Sequence, residues 1–578
     1  VKRLPAIIYL LGASLYAFVF FKNAWVGDDA YIIFRSLEQL LDGNGPRWNP
    51  HERVQVFTSP LWYWLLAAMG SLSRNHYLNS IVLSAACSIL TLWNLQRILV
   101  TSTRWLAAVF LLIFSQAYFD FTTSGLENPL GYALLSTIVR FYLNNKNFSA
   151  HTARIITFFA SGLLLVTRHD LALLIFPLLL QQLYLARQAH NQALWQCLTL
   201  LLLPLLLWTL FSLLYYGVAF PNTAYAKLAT QIPRELLLQR GILYFSTSIV
   251  RDFVSVFVLL AGLAVGICQR NGKLRLITAG IAVHLAYVVW IGGDFMRGRF
   301  FSWDYLLCVL ILLYQPAGSH RTHKLNRSNI TTALAGLAII TSITLWEPPA
   351  ITPFNWGTKP FRTADTADGI TQERNFYFWF TALWKYVLRD KPLLQNHGWC
   401  QDSIEQKKQG IHIATAGTVG FRGYCLGTQD IIIDTLGITD PLLARLARNP
   451  SQKNWRPGHF LRLIPAGYCT TLKNSTTLKN SATVNNPENI IENPAIATYY
   501  DKIRLLTQSE KLLSTERLAV IWHMNTGSYS SQLDSINNTL HDNFLHENGR
   551  EQQAEAVRDC PAIALPEDMI EQLKNAAD

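Results

Sequence analysis

Residues 193–215 read ALWQCLTLLLLPLLLWTLFSLLY, a run without a single charge. About 20 apolar residues cross the ~30 Å hydrocarbon layer of a bilayer, and a soluble core helix rarely needs so many. Working outward, comparable runs occupy 5–21, 78–96, 105–119, 126–143, 155–167, 171–186, 252–268, 276–291, 300–314 and 329–346. The sequence thus predicts an α-helical polytopic membrane protein of about eleven transmembrane helices. Beyond Trp346 the apolar runs stop. Residues 1–346 are read as the membrane module, 347–395 as a Pro- and Trp-rich connector, and 396–578 as a soluble domain. Only 15% of the 578 residues are charged, against roughly 25% in soluble domains.

Charge placement orients the chain. Lys2 and Arg3 precede the first run, and no small-residue cleavage site follows Phe20-Phe21-Lys22-Asn23, so that run is expected to be a permanent anchor with a cytoplasmic N-terminus. The net charge of +12 does not call for nucleic acid, because basic residues gather in cytoplasmic loops; Arg97, Arg104, Lys273 and Lys324 fit that account. The short Trp-rich stretch Pro60–Leu72 is read as interfacial or re-entrant. The soluble domain then lies outside, and all twelve acidic residues before Glu347 fall in or beside outer segments. A multi-pass protein of the bacterial inner membrane, with an extracytoplasmic site and lipid around it, is the expectation.

Two runs, Ile411-His412-Ile413-Ala414 and Ile431-Ile432-Ile433-Asp434, read as buried strands of a small α/β domain. Cys400, Cys425, Cys469 and Cys560 lie in it, and an oxidising compartment predicts two disulfides among three pairings. The tandem repeat in Thr470–Ser481 reads as a surface insertion.

Functional groups concentrate in the outer segments. Gly27-Asp28-Asp29-Ala30-Tyr31-Ile32 places two carboxylates at a membrane surface, where they serve a site or cap a helix running from Ala30 to Leu41. Thr123-Ser124-Gly125-Leu126-Glu127 and Thr167-Arg168-His169-Asp170 mark the outer ends of spans, as a site or as interfacial salt bridges. Pro221-Asn222-Thr223-Ala224-Tyr225-Ala226-Lys227 offers a phosphate ligand or an interfacial anchor, and Gly292–Arg299 carries Asp294, Arg297 and Arg299 in one short connection. Guanidinium groups grip phosphate oxygens bidentately. A Walker P-loop, a dinucleotide fingerprint, HExxH and paired CxxC are all missing, so neither a nucleotide cofactor nor a metal is expected.

These blocks resemble a known family. The Gly27–Ile32 run, Gly43-Asn44-Gly45, Asn49-Pro50, Arg53-Val54 and Thr58-Ser59-Pro60-Leu61-Trp62 look like the first outer loop of GT-C arabinofuranosyltransferases, of the arabinan-terminating β-(1→2) type and the related pilin arabinosyltransferases. The Thr123–Glu127, Pro221–Lys227 and Gly292–Arg299 blocks are similar to later parts of that family. So are Asp434–Arg445 and Gly458-His459-Phe460 in the soluble domain. His169 and Asn128 depart from the pattern.

The resemblance implies an inverting, metal-independent transfer of arabinofuranose from a polyprenyl-phosphate donor to a glycan, a lipid-linked saccharide or a pilin. It implies Asp28 as general base, kept ionised by nearby cations, with Asp29 as the helix cap. Arg168, Lys227, Arg297 and Arg299 would hold the phosphate, and Asp440 and His459 would shape the acceptor groove. Arg35, Thr58, Glu127, Asp170, Asn222, Tyr225 and Asp294 complete the expected substrate-binding set. Transfer of another lipid-carried sugar, such as mannose or aminoarabinose, and lipid-linked-sugar flipping are the rival readings.

Overall fold

The computed structural model describes residues 3–143, 148–228, 230, 232–315, 336, 349, 368–389, 393–450, 452, 455–477, 488–545 and 560. Six helices are long and apolar enough to cross a bilayer: Leu4–Asn23, His76–Leu99, Ala150–Thr167, His169–Ala189, Asn191–Tyr215 and Gly272–Trp290. Two bent pairs could each add one span, with Ser102–Phe114 turning by 82° into Gln116–Thr122 and Arg234–Arg251 by 114° into Phe253–Ile267. That makes up to eight among the described residues. The run at 329–346 and the basic loop before it lie outside the described residues, apart from residue 336.

Two runs expected to cross are shorter than a crossing requires. Asn128–Leu143 has 16 residues and Ser302–Leu313 has 12; at 1.5 Å per residue they reach only about 24 and 18 Å. Both are buried on nearly every side, so their apolar surface meets other helices rather than lipid. Glycines let the bundle close. A Cβ on Gly280 would fall inside the Leu174 carbonyl, one on Gly241 inside the Val289 carbonyl, and one on Gly262 inside Cys308. Small residues at such crossings let helix backbones approach in a membrane.

At one end of the bundle the chain leaves the first span and starts the helix Asp28–Leu41. Gly27 donates its N–H to the Ser124 carbonyl at 2.9 Å, and Trp62 donates to the Gly125 carbonyl at 2.9 Å. The segments around Gly27, Pro60 and Gly125 are thereby tied together at that end of the bundle. Pro60–Gly70 is an 11-residue helix with Pro in its first turn, too short to span.

The later part of the chain packs onto this layer rather than standing apart. Val419, Phe421 and Leu426 belong to the same apolar core as the membrane helices. Two parallel strands, Ile413–Ala416 and Ile431–Asp434, pair in register from Ile413↔Ile431 to Ala416↔Asp434. The first strand starts two residues later than the sequence predicts, because Gly410 turns with φ +71° and His412 engages the Asp430 carboxylate at 2.7 Å. Both disulfides form, as Cys400–Cys425 and Cys469–Cys560. The aromatic stretch expected at 376–388 is two helices, Glu373–Thr381 and Leu383–Arg389, broken at Ala382. The end of the tandem repeat lies outside the described residues.

Candidate active site

Asp28 and Asp29 occupy the first turn of their helix, where consecutive residues are about 100° apart and so face different surroundings. Asp28 is buried. Its two carboxylate oxygens accept the backbone N–H groups of Gly420, at 3.1 Å, and Phe421, at 2.7 Å. It therefore closes the start of the helix Gly420–Leu426, and a Cβ on Gly420 would collide with it. Burial pushes the Asp28 carboxyl up to about 7, against the pull of the two N–H groups.

Asp29 faces the other way, into a cleft of about 630 Å³. Its side chain keeps 37% of its surface open, and the nearest cation is Arg299 at 4.0 Å. It accepts no hydrogen bond among the described residues. Burial by the surrounding protein raises its carboxyl above the ordinary range, while Arg299 and then Lys227 oppose the rise.

The cleft joins segments far apart in sequence. Thr58, Ser59, Glu127, Thr223, Lys227, Arg299 and His459 supply its polar wall, and Ile32, Phe57, Leu126 and Phe295 its apolar one. Arg299 is held by Glu127 at 3.1 Å and lies 4.0 Å from Asp294. Gly298 takes φ +80°, a left-handed turn that sends Arg299 inward. Lys227 opens into the cleft beside Gly458; burial, relieved by Asp294, holds its ammonium below its usual value. His459 packs edge-on against Phe295 at 4.3 Å, and burial, followed by the Arg456 charge, keeps its imidazole neutral, well below the ordinary histidine range.

Behind the wall a chain of charges continues into the bundle. Arg168 donates to Glu127 at 2.9 Å and grips Asp170 through two hydrogen bonds of 2.9 and 2.7 Å. His284 then links Asp170, at 3.9 Å, to Asp304, at 2.8 Å. Arg168 and Asp170 support the wall without lining it.

Several expected site residues lie elsewhere, each for a visible reason. Asp28 is turned onto the Gly420 helix, and Asp29 is not a cap, since Gly27 holds that position without a side-chain bond. The expected lowering of the Asp28 pKa by cations is reversed by burial. Arg35 is buried against Trp48 at 4.4 Å, with its guanidinium on the Asp430 carbonyl. Arg297 donates to the Ile370 carbonyl at 3.3 Å, facing the connector. Asn222 holds the carbonyls of Gly437, Ile438 and Asp440, and Tyr225 lies beneath Arg445. Asp440 accepts from Leu442, Leu443 and the Tyr468 hydroxyl, so it shapes a turn rather than a groove. Asp294 accepts its own neighbour's N–H, from Phe295, at 2.9 Å.

Sequence reading missed Ser59, Thr223, Phe57, Phe295 and Ile438 as lining residues, although Ser59, Thr223, Phe295 and Ile438 lie inside the quoted blocks. It also missed Glu373, a buried connector acid that burial pushes to about 7 and whose charge reaches Asp29 and Asp28. The sequence signal was faint, since Glu373 stands in an aromatic stretch remote from any acidic motif.

The fold and site define a polytopic membrane protein with a charged cleft at one end of its bundle, closed over by its later residues. Two relatives agree in kind. The chain is 28% identical over 426 residues to a terminal β-(1→2)-arabinofuranosyltransferase of Corynebacterium glutamicum, an alignment covering 64% of this chain and 58% of that protein. It is 26% identical over 539 residues to a terminal β-(1→2)-arabinofuranosyltransferase of Mycobacterium tuberculosis, covering 78% of this chain and 83% of that protein. A crystal structure of ArnT from Cupriavidus metallidurans bound to undecaprenyl phosphate matches 75% of this chain and 86% of its own, at TM-score 0.42 and 10% identity. No protein-family model matches the chain. The chain is thus similar, over most of its length, to two proteins named as terminal β-(1→2)-arabinofuranosyltransferases.

Proposed function

We propose that this protein transfers arabinofuranose from a polyprenyl-phosphate donor to an extracytoplasmic acceptor hydroxyl, with Asp29 as the base. The observation that carries the reading is the open, unbonded Asp29 carboxylate in a cleft that also holds Lys227 and Arg299. The acceptor oxygen attacks the anomeric carbon. The bond from that carbon to the phosphate oxygen breaks on the opposite face, its electron pair leaving with the lipid phosphate, and the acceptor proton passes to Asp29. Arg299 and Lys227 offset the charge developing on the phosphate. Glu127 orients Arg299, and neutral His459 with Thr58 contacts sugar hydroxyls.

Under this reading the membrane is the bacterial inner membrane, and the cleft faces its outer side. The membrane module of residues 1–346 supplies the base and the cations, the connector 347–395 supplies Glu373, and the domain from 396 supplies the lid over the cleft, with His459 on it. The acceptor is a glycan, a lipid-linked saccharide or a pilin.

The test is transfer by purified protein in lipid, with polyprenyl-phosphoryl arabinofuranose offered beside the mannose and aminoarabinose donors. Preferential arabinose transfer supports the reading. Faster transfer of another sugar would replace the donor, and movement of donor across the bilayer without bond cleavage would replace the class.

A further inference from the structure

We propose that the helix Thr515–Asn525 is a membrane-surface anchor, seated in the lipid headgroup layer through Leu513, Leu518 and Trp522. The helix is fastened to the end of a membrane span. Buried Arg517 donates to the carbonyls of Leu214, at 2.7 Å, and Tyr215, at 3.1 Å, the last residues of the span Asn191–Tyr215. Asn525 closes the other end, donating to the Gly217 carbonyl at 2.9 Å and accepting from the Ala219 N–H at 3.0 Å. Arg517 and Ile521 form the inward face.

Beside that inward face runs an apolar exposed stripe, flanked on its other side by exposed Glu516 and His523. Leu518 and Trp522, one turn apart, are exposed, Trp522 by 68%, and Leu513 just before the helix is exposed by 69%. On the span beneath, Leu206, Leu207 and Leu210 are exposed as well, so the patch continues a lipid-facing surface at the depth where that span ends. Tryptophan and leucine on one side of a short helix suit the headgroup boundary, where an amphipathic ring meets both phases. An apolar patch of this kind in water would be a liability. The anchor would hold the later residues, including the lid over the cleft, at a fixed height above the bilayer.

The experiment uses the full chain in nanodiscs loaded at one copy each, with the exposed Cys268 replaced by Ser so that a nitroxide marks one site. Labels are placed by Leu518→Cys, Trp522→Cys and, on the polar side, Glu516→Cys. The proposal expects oxygen collisions to exceed those of a water-soluble nickel chelate at 518 and 522, and the reverse at 516. Chelate access at 518 and 522 equal to that at 516 would overturn it. A barrier at 518 and 522 that appears only with two copies per disc would assign the patch to a second chain and overturn it too. Leu513→Cys gives a site outside the helix, so a misfolded helix variant does not remove the reading.

Discussion

Replacing Asp29 and Asp28 by Asn in turn should separate a carboxylate that acts from one that holds the fold. Asp29 lies 4.0 Å from Arg299, and two unit charges at about 4 Å attract by about 4 kcal/mol at an effective dielectric of ~20. That figure overstates the loss. Asp29 keeps 37% of its side-chain surface open, and Arg299 retains Glu127 at 3.1 Å; screening reduces such a pair to about 1 kcal/mol or less. The surrounding protein desolvates the Asp29 charge in part, which raises its carboxyl above the ordinary value and opposes folding. Asp29→Asn should therefore leave stability within about 1 kcal/mol. Transfer should fall by ~10²–10⁴-fold, about 2.7–5.5 kcal/mol of barrier. Asp28→Asn should behave oppositely. Only one amide oxygen remains for the N–H groups of Gly420 and Phe421, and a buried donor left unsatisfied costs about 1–3 kcal/mol. Transfer per folded molecule should largely survive. The assay pairs thermal unfolding in nanodiscs with transfer of labelled sugar, normalised to folded protein. Lost transfer at unchanged stability in Asp28→Asn, with normal turnover in Asp29→Asn, would refute the assignment.

The remaining predictions concern charge, donor binding and the covalent frame. Transfer should fail on the acid side as Asp29 takes a proton, at a pH above the ordinary carboxylate range because burial raises that group; it should fail on the alkaline side as Lys227 loses its proton below the usual lysine value. A pH–rate profile flat down to the ordinary carboxylate range would contradict the first half. Lys227→Gln should weaken donor binding by about 1.5–3 kcal/mol, the range for hydrogen bonds to a charged group, and should remove the alkaline limb. Unchanged donor affinity in a direct binding measurement would move the phosphate elsewhere. Intact mass after alkylation without reductant should find Cys400, Cys425, Cys469 and Cys560 all blocked. Loop-closure entropy makes Cys469–Cys560, separated by 91 residues, the more stabilising bridge at about 4.6 kcal/mol against about 3.5 for the 25-residue separation of Cys400–Cys425.

Much of the cleft was legible because its charged residues sit at or near the ends of apolar runs, where a charge at a membrane surface stands out. Asp29, Thr58, Glu127, Lys227, Arg299 and His459 were named from the sequence and meet around one cavity. The choice between neighbours was not legible. Asp28 and Asp29 differ by one step of helical rotation, and the partner that takes Asp28 out of the cleft, Gly420, is 392 residues away. Arg297 and Arg299 differ likewise through the turn at Gly298, which depends on packing against Ala117. Hydropathy also cannot tell lipid from protein as a neighbour. Asn128–Leu143 and Ser302–Leu313 read as apolar runs although other helices bury most of their residues.

The balance of charge in the cleft bears on how base and leaving group cooperate. Arg168 is matched by Asp170, which it grips twice. That leaves Asp29, Glu127 and Asp294 facing Arg299 and Lys227, a cleft short of positive charge before any phosphate arrives. An arriving donor phosphate competes with Asp29 for the same two cations. As they turn toward the phosphate, Asp29 loses the two groups that restrain its proton affinity. Like charges brought close raise the pKa of a carboxyl. In the proposed reaction, the charge that gathers on the departing phosphate would therefore make Asp29 a stronger base in the step that requires it to accept the acceptor proton.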